Sequence, residues 1–284
     1  MRIGVTGREG FIGGAACDAL RQAGHDAVSL DAYMRPCADE KLAMRECPDD
    51  LDWVLHFAAT ASIQQSVEDP FLTYFNNIGS TILALKAASR SRCAFLFMSS
   101  YVYGKPQHLP IDEKHPVDHL NPYMGSKIIG EEVCRHLCNA AGLPLVILRG
   151  FTIYGQGGGP GRLIPDLLQA VRTGGPLVVN DPKPKRDYLY SKDFCALVLK
   201  IVERRPVATG TYNVGYGVSY SNGEVAGLVK KIAGGDRQVV AGSRPRENDV
   251  EDCSVNADLV KETFSWQPAY SLEQGLTELI GLRR

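Results

Sequence analysis

The feature that most constrains the fold of this chain is a succession of short, continuously apolar segments separated by stretches of helical character. In the first half of the chain these segments read, in order, RIGVTG, DAVSLD, WVLHFAA, AFLFMSS and PLVILRG. Strands of this kind are buried on both faces, as in a parallel sheet that is covered by helices. The pattern therefore predicts an α/β fold with a doubly wound parallel sheet over residues 1–150.

After the fifth apolar segment the pattern becomes less regular. Two loops rich in Gly and Pro, YGQGGGPGR and DPKPKRD, interrupt it, and a capping box formed by Ser271 and Gln274 opens a final predicted helix. We predict a smaller, mixed α/β portion that comprises residues 151–186 and 216–284. Residues 187–215 are predicted to return to the first domain.

Charge and cysteine content exclude several classes of partner. The net charge is −1 and the isoelectric point is near 6.6, which gives no reason to expect nucleic acid or an anionic membrane as a partner. No apolar run approaches the ~20 residues of a membrane span, and no secretory signal precedes the first predicted strand. The eight Cys are scattered without a C-x-x-C pair, so we expect reduced cytoplasmic thiols and no bound metal.

A glycine-rich loop, TGREGFIGG, connects the first predicted strand to the first predicted helix. Glycines at these positions let the backbone approach a pyrophosphate at the helix N-terminus, where free N–H groups favour an anion. Asp31 ends the next predicted strand, where a carboxylate can hold a ribose hydroxyl. The predicted dinucleotide contacts in the loop are Gly7, Gly10, Phe11, Ile12 and Gly13.

The same loop bears on the choice of dinucleotide. A carboxylate at Asp31 would repel a 2′-phosphate, which favours NAD over NADP. Arg8 in the loop and Arg35 after the strand are cations that leave NADP as the alternative.

Three Tyr-x-x-x-Lys pairs occur in the chain, namely Tyr101/Lys105, Tyr123/Lys127 and Tyr188/Lys192. Gly104 and Pro106 exclude a helix across the first pair, and the third spans a predicted change from strand to helix. The second pair lies within a predicted helix that Pro122 opens and Gly142 closes. Residues four apart are neighbours on one helix face, so this pair is the candidate for chemistry.

A phenol needs help to act as a base near neutral pH, because its pKa is about 10. We expect the Lys127 ammonium and an oxidised nicotinamide to stabilise the phenolate of Tyr123. Tyr123 could then take the proton of a substrate hydroxyl while hydride leaves the same carbon. Ser99, at the carboxyl end of AFLFMSS, is predicted to hydrogen-bond that oxygen.

Six motifs occur in a fixed order over nearly the whole chain: TGREGFIGG, HFAAT, NNIGS, MSSYVYG followed by YMGSK, RDYLYSKDF, and YNVGYG. Together they resemble the extended short-chain dehydrogenase/reductase family, and within it the NAD-dependent nucleotide-sugar epimerases and dehydratases. The resemblance implies a Rossmann-type sheet and a catalytic trio of Ser99, Tyr123 and Lys127. It also implies cofactor contacts at Ala58 and Ala59.

The resemblance further implies that the portion after residue 150 binds a nucleoside-diphosphate sugar. In such proteins the arginine of the R-D-[YF] motif, here Arg186, contacts the diphosphate, together with a later arginine that is Arg246 or Arg244. The remaining predicted substrate contacts are Ser100, Thr152 and Arg162.

A homodimer is also implied, because relatives build a four-helix interface from the segment 70–89 and the helix that carries Tyr123. Apolar side chains occur in both segments, although each of them could instead face the sheet. They are Phe75, Ile78, Ile82, Leu85, Ile128, Val133 and Leu137.

The segment MSSYVYG departs from part of the family. The 4,6-dehydratases resemble T-D-E-V-Y-G here, and their two carboxylates eliminate water, whereas this chain has Ser100 and Tyr101. What remains needs hydride transfer at one carbon only, namely 4-epimerisation or 4-keto reduction. Thr152, where many relatives have Asn, resembles the uronic-acid 4-epimerases, in which pocket hydroxyls hold the sugar carboxylate.

The sequence therefore predicts an NAD-dependent isomerase that acts at C4 of a nucleoside-diphosphate sugar, with a hexuronic acid as the finer candidate. An NAD(P)H-dependent 4-ketoreductase is the first alternative, since it uses the same trio. A non-catalytic NAD(P)-binding regulator is a more distant one.

Overall fold

The computed structural model describes residues 1–33, 47–242 and 250–281. Its strands are β1 (Arg2–Thr6), β2 (Asp26–Ser29), β3 (Trp53–His56), β4 (Ala94–Met98), β5 (Leu145–Gly150), β6 (Thr152–Tyr154), β7 (Leu177–Val179), β8 (Lys185–Tyr190), β9 (Gly210–Val214), β10 (Ser219–Ser221), β11 (Val239–Ala241) and β12 (Asp252–Cys253). Its helices are α1 (Phe11–Gln22), α2 (Ile63–Glu68), α3 (Pro70–Ser91), α4 (Pro122–Ala141), α5 (Leu163–Thr173), α6 (Ser191–Glu203), α7 (Asn222–Ala233), α8 (Asp258–Phe264) and α9 (Leu272–Gly281).

The main sheet has six parallel strands in the order β2-β1-β3-β4-β5-β9. Helices α1 and α6 pack together beside it, as do α3 and α4. Successive residues of one strand enter different cores: Leu96 lies in one buried cluster, whereas Phe95 and Phe97 lie in another. The continuous apolar strands are thus buried on both faces, and the predicted Rossmann-type fold class is confirmed.

The second portion has shorter strands and an aromatic core. β8 pairs with β6, β10 and β12, and only the β10 pairing is antiparallel. Its core includes Tyr154, Tyr188 and Tyr190, packed with apolar residues of α5, α7 and α9. Residues 187–190 belong to this smaller sheet, and α6 and β9 then carry the chain back to the main sheet.

The last helix begins at the predicted capping box. The Ser271 hydroxyl accepts from the Gln274 amide at 3.3 Å, and the Gln274 side chain accepts from the Ser271 amide at 2.8 Å. These reciprocal bonds satisfy backbone donors at the start of α9.

The seven cysteines within the described residues are free and buried. None of the helices among residues 1–33, 47–242 and 250–281 combines the length and the apolar character that crossing a membrane requires.

Candidate active site

The glycine loop between β1 and α1 has a backbone that side chains would obstruct. Gly7 has a φ of 74°, and a Cβ there would lie 2.7 Å from the Ala58 nitrogen. A Cβ at Gly13 would overlap the Gly7 carbonyl oxygen. Helix α1 begins at Phe11, and its N-cap, Gly10, contributes no side-chain hydrogen bond. The start of α1 therefore offers the backbone donors and the free space that a pyrophosphate needs.

Asp31 lies directly beside this loop. Its carboxylate accepts from the Gly7 amide at 2.5 Å and from the Arg8 amide at 2.9 Å. The predicted ribose ligand and the predicted pyrophosphate loop therefore form one continuous surface. Arg35, the second cation considered for NADP, lies outside the described residues.

The HFAAT segment forms the opposite wall of the loop. The Ala58 amide donates to the Thr6 hydroxyl at 3.1 Å, and Gly7 approaches Ala58 closely. Ala58 and Ala59 thus lie at the carboxyl end of β3, beside the carboxyl end of β1, where ligands bind in open α/β sheets.

Helix α4 begins and ends where the sequence predicts. Pro122 is its first residue, the Asn121 side chain caps the Met124 amide at 2.9 Å, and Gly142 follows in the left-handed conformation. Tyr123 lies half-buried in its first turn, and Lys127 lies buried one turn later.

Lys127 is held under the carboxyl end of β4. Its ammonium donates to the Met98 carbonyl oxygen at 2.9 Å and lies 5.0 Å from the centre of the Phe97 ring. Burial lowers the pKa of Lys127 to about 8, although the nearby thiol of Cys134 and the carboxylate of Glu131 act in the opposite direction. Desolvation disfavours the charged form of a buried amine.

The surroundings of Tyr123 differ from the expectation. Burial raises the pKa of its phenol, while a side-chain hydrogen bond from Ser100 and the positive charge of Arg162 act to lower it. Ser100 and Arg162, rather than Lys127, are therefore the groups of this structure that favour the phenolate.

Ser99, the predicted trio member, does not join Tyr123. Side chains on one strand face alternate with period two, so Ser99 follows Phe97 on the face that α4 covers. It is buried, and its hydroxyl donates to Glu131 at 2.6 Å. The structure thus places the Lys127 ammonium at this strand end, on the Met98 carbonyl oxygen, and directs the Ser99 hydroxyl to Glu131.

The two other Tyr–Lys pairs are engaged differently. The Tyr101 hydroxyl donates to the Gly104 carbonyl oxygen at 2.6 Å, within an irregular segment. Lys192, four residues after the buried Tyr188, pairs with Glu278 at 2.5 Å. Neither pair has both members on one helix face beside the glycine loop.

The predicted substrate residues are spread along the second portion. Thr152 begins β6 and lies opposite Tyr188 of β8. Arg186, also in β8, donates to the carbonyl oxygens of Lys185 at 2.7 Å and Val250 at 2.6 Å. Arg162 is the exposed N-cap of α5, and its charge reaches Tyr123. The two alternatives for a second diphosphate arginine, Arg244 and Arg246, lie outside the described residues.

A family model described as the NAD dependent epimerase/dehydratase family matches residues 3–215. The chain belongs to this family. The matched region contains the glycine loop, the strand end with Ser100 and the whole of α4, so the family resemblance predicted from the ordered motifs is confirmed.

Solved structures of similar proteins align with nearly the whole length of this chain. RMD from Pseudomonas aeruginosa, complexed with NADPH, is 25% identical with a TM-score of 0.88, covering 99% of this chain and 97% of its own. UDP-glucose 4-epimerase from Thermus thermophilus, in complex with NAD, is 26% identical with a TM-score of 0.85, covering 99% and 98%. UDP-glucuronic acid 4-epimerase from Bacillus cereus, in complex with UDP-glucuronic acid and NAD, is 25% identical with a TM-score of 0.85, covering 100% of both chains.

A buried cluster of charged residues lies behind the candidate site, and it was not predicted from the sequence. Glu131 accepts from Arg149 at 2.9 and 2.7 Å and from Arg135 at 2.8 Å. Burial acts to raise the pKa of Glu131, but the bonds and charge of Arg149 outweigh it and the net change is a lowering. The signal was present in the sequence, since Tyr123, Lys127, Glu131 and Arg135 recur every four residues and therefore share one helix face.

Proposed function

We propose that this protein is an NAD-dependent epimerase acting at C4 of a nucleoside-diphosphate sugar. The observation that carries the proposal is the strand end after β4. There the Lys127 ammonium, one helical turn after Tyr123 on α4, donates to the Met98 carbonyl oxygen, and neither Ser100 nor Tyr101 supplies a carboxylate. A site of this kind can move a proton on and off one sugar oxygen, but it lacks the residues by which dehydratases of the family remove water.

The residues of the glycine loop fit a dinucleotide. Gly7, Gly10 and Gly13 would lie along the pyrophosphate, with Phe11 and Ile12 in the same turn, and Asp31 would exchange its loop amides for ribose hydroxyls. Ala58 and Ala59 would border the nicotinamide side. When bound, NAD supplies hydride acceptance at C4 and return of that hydride to the opposite face of the 4-keto sugar.

The side chains at the strand end would handle the proton. Tyr123 takes the proton of the C4 hydroxyl and returns it after the sugar has turned over in the pocket. Ser100 would donate a hydrogen bond to the Tyr123 oxygen, which favours the ionised form of the phenol. Lys127, buried and charged below about pH 8, would supply a positive charge one helical turn from Tyr123.

A hexuronic acid is the substrate that the pocket residues favour. Arg162 brings a positive charge close to Tyr123, which would attract a carboxylate at C6 of a sugar whose C4 hydroxyl lies on that phenol. Thr152 and Ser100 would add hydroxyl donors to such a pocket. The Bacillus cereus neighbour, solved with UDP-glucuronic acid, supports this choice. Arg186 would contact the diphosphate.

A panel of UDP-, dTDP-, GDP- and CDP-sugars, with NMR of the products, tests the reaction. We expect interconversion of C4 epimers with catalytic NAD, no net change in the absorbance of reduced cofactor, and no solvent deuterium at C5. Stoichiometric consumption of added NAD(P)H by a 4-keto sugar, without epimerisation of any parent sugar, would establish the reductase instead.

The reductase alternative rests on the Pseudomonas aeruginosa neighbour, which was solved with NADPH. Calorimetry with NAD and NADP separates the two cofactors. We expect the wild type to prefer NAD, and Asp31→Ala to weaken NAD roughly tenfold and narrow the gap to NADP, since a hydrogen-bonded charge is lost. Asp31 itself lies in a short 3-10 turn just after β2, and Asp26→Ala, which removes an exposed carboxylate from the start of β2, is the matched control. A wild type that prefers NADP contradicts the assignment.

We also propose a homodimer through α2, α3 and α4. Of the predicted interface positions, Phe75, Ile82 and Leu137 are exposed, whereas Leu85 faces the sheet. An apolar stripe of this size favours an identical partner surface. The exposed apolar side chains are Ile63, Val67, Phe71, Leu72, Phe75, Ile82, Ile129 and Leu137, of which Phe71 is 87% exposed.

Light scattering at micromolar concentration tests the dimer. Phe75→Glu is expected to give monomers, because it places a charge in the centre of the stripe. Val178→Glu changes an exposed apolar residue of β7, outside the stripe, and should leave the dimer intact. A monomeric wild type would refute this interface.

A further inference from the structure

The ring of His56, the last residue of β3, lies in a chain of hydrogen bonds whose direction can be assigned. The Thr81 hydroxyl donates to the Asn77 carbonyl oxygen at 2.7 Å, so toward His56 it can only accept. The Nε2 atom of His56, 3.1 Å from the Thr81 hydroxyl, must therefore carry a proton. On the other side of the ring, the Thr6 hydroxyl accepts from the Ala58 amide at 3.1 Å and lies 2.7 Å from Nδ1.

A neutral ring satisfies both neighbours of His56. With Nε2 protonated, the Nδ1 lone pair accepts from the Thr6 hydroxyl. His56 is fully buried, and its ring centroid lies 6.2 Å from that of Phe95 and 5.8 Å from that of Phe97. Burial lowers the pKa of His56 to about 3, and the charge of Lys127 acts in the same direction. The ring is thus fixed as the neutral Nε2–H tautomer.

The chain of hydrogen bonds continues from α3 to the first turn of α4. The Asn77 carboxamide accepts from the Thr60 amide at 2.7 Å and donates to the Ser126 hydroxyl at 2.9 Å. The Ser126 hydroxyl in turn donates to the Tyr123 carbonyl oxygen at 2.7 Å. The segment after β3 that walls the glycine loop is therefore held at one end by Thr6 and at the other by Asn77.

We propose that His56 and Thr81 are positioning residues, which keep this wall at a fixed distance from the turn of α4 that carries Tyr123. The inference rests on the proposed function for its kinetic test, whereas the hydrogen bonds behind it join only residues of this chain. Each link is buried and has a partner on both sides. Loss of one hydroxyl therefore leaves its neighbours without that partner and lets the wall shift relative to α4.

The variant that breaks the chain is Thr81→Val, which removes the hydroxyl and keeps the branched shape of the side chain. It leaves the Nε2–H group of His56 without its acceptor and the Asn77 carbonyl oxygen without that donor. Thr81→Ser keeps the hydroxyl. Thr73→Val is the matched control, because Thr73 is equally buried in α3 and its hydroxyl also donates to a carbonyl oxygen four residues earlier, that of Asp69 at 3.0 Å.

The variants are compared in turnover of a C4-epimer pair and in two NMR signals of the protein saturated with NAD. Isotope-labelled histidine reports the tautomer of His56, whose ring is identified by its through-space contacts with Phe95 and Phe97. Label at the tyrosine Cζ reports the surroundings of the Tyr123 phenol, and that signal is assigned with Tyr123→Phe.

In the wild type we expect a neutral His56 that carries its proton on Nε2. Thr81→Val should populate both tautomers, shift the Tyr123 signal and lower kcat roughly tenfold with KM nearly unchanged, as a small misplacement of a catalytic group does. Thr81→Ser should restore all three, and Thr73→Val should match the wild type. A wild-type His56 that is charged at neutral pH, or that carries its proton on Nδ1, would overturn the proposal without any variant.

Ser126→Ala tests whether the effect passes from α3 to α4. This variant breaks the same chain at its other end, so it too should lower kcat roughly tenfold. Because both changes sever one chain, Thr81→Val combined with Ser126→Ala should lose little more than either variant alone. Losses that multiply to roughly 100-fold would show that the two hydroxyls act independently, which contradicts the proposal.

The Tyr123 signal separates this inference from the proposed reaction. If the wild type epimerises nothing but the signal still moves in Thr81→Val and not in Thr73→Val, the proposed reaction fails and the positioning role stands. If the wild type epimerises and Thr81→Val changes neither kcat nor the Tyr123 signal, the positioning role fails alone.

Discussion

The pairs Tyr123/Lys127 and Tyr188/Lys192 have the same spacing and opposite surroundings. Lys127 is buried on α4, where it lies on a backbone carbonyl, and its pKa falls to about 8. The Lys192 side chain is 55% exposed, and its hydrogen bond to Glu278 raises its pKa. The Tyr-x-x-x-Lys spacing thus identifies candidate catalytic pairs. The burial of the lysine and the identity of its hydrogen-bond partner then distinguish a catalytic pair from a pair at the surface.

Replacing each of the two tyrosines with phenylalanine tests this contrast most strongly. Tyr123→Phe removes the group that accepts the substrate proton, so turnover should fall on the order of 10²–10⁴-fold while fold and NAD binding persist. Tyr188→Phe changes a phenol in the core of the second portion and should leave turnover within a few-fold of the wild type. Steady-state rates with both variants decide the matter. Near-wild-type turnover of Tyr123→Phe would show that the two pairs are equivalent bystanders.

Replacing each of the two lysines with methionine is expected to give the next largest difference in turnover. Lys127→Met keeps the packing of a long side chain but removes the buried charge one helical turn from Tyr123, and we expect turnover to fall about 10²-fold. Lys192→Met removes a charge at the surface, so its kinetics should match the wild type. Equal rates for the two variants would remove the distinction drawn from burial.

The pH dependence of the free energy of unfolding tests whether Lys127 is buried, and this measurement needs no substrate. The pKa of Lys127 is lowered in the folded protein, so between about pH 8 and 10.5 the unfolded chain keeps a proton that the folded protein releases. The free energy of unfolding contributed by this group therefore rises with pH across that window, by about 3 kcal/mol at most. Urea unfolding of the wild type minus that of Lys127→Met should show this rise. A flat difference would mean that Lys127 is solvated.

The two glutamates are expected to give the smallest contrast, a difference of about 2 kcal/mol in the free energy of unfolding. Glu278→Gln breaks a partly exposed ion pair and should change the free energy of unfolding by less than about 1 kcal/mol. Glu131→Gln leaves two arginines beside a neutral side chain in a buried place, and a loss of about 3 kcal/mol is expected. Denaturant titrations that rank the two variants in the reverse order would contradict the assigned burial.

Local sequence determined much of this site. The bounds of α4 followed from Pro122 and Gly142, and the open backbone at Gly7 and Gly13 followed from glycine spacing, because each signal acts within a few residues. The resemblance carried by the family's motif order then implied that Ala58 and Ala59 border the cofactor.

The groups that Ser99 and Ser100 contact could not be predicted from local sequence. Whether Ser99 or Ser100 reaches Tyr123 depends on which residue ends β4 and on the pleat of that strand, and the sequence shows two identical side chains there. The Glu131–Arg149 pair joins a helix to the following strand, so no local pattern ties the two. The pKa of Tyr123 was expected to fall beside an ammonium, whereas burial, which sequence spacing does not report, raises it.

Different faces of helix α4 have different roles. One stripe carries Tyr123 and Lys127, and then continues into the Glu131 cluster. Gly130 lies against Phe97 so closely that a Cβ would come within 2.7 Å of the ring, and Ile129 and Leu137 are exposed on the apolar stripe. Directed evolution toward new sugars should therefore leave this helix untouched. The mostly exposed glycine-rich segment 156–162 and Thr152 at the start of β6 offer positions that can be varied at lower cost to folding.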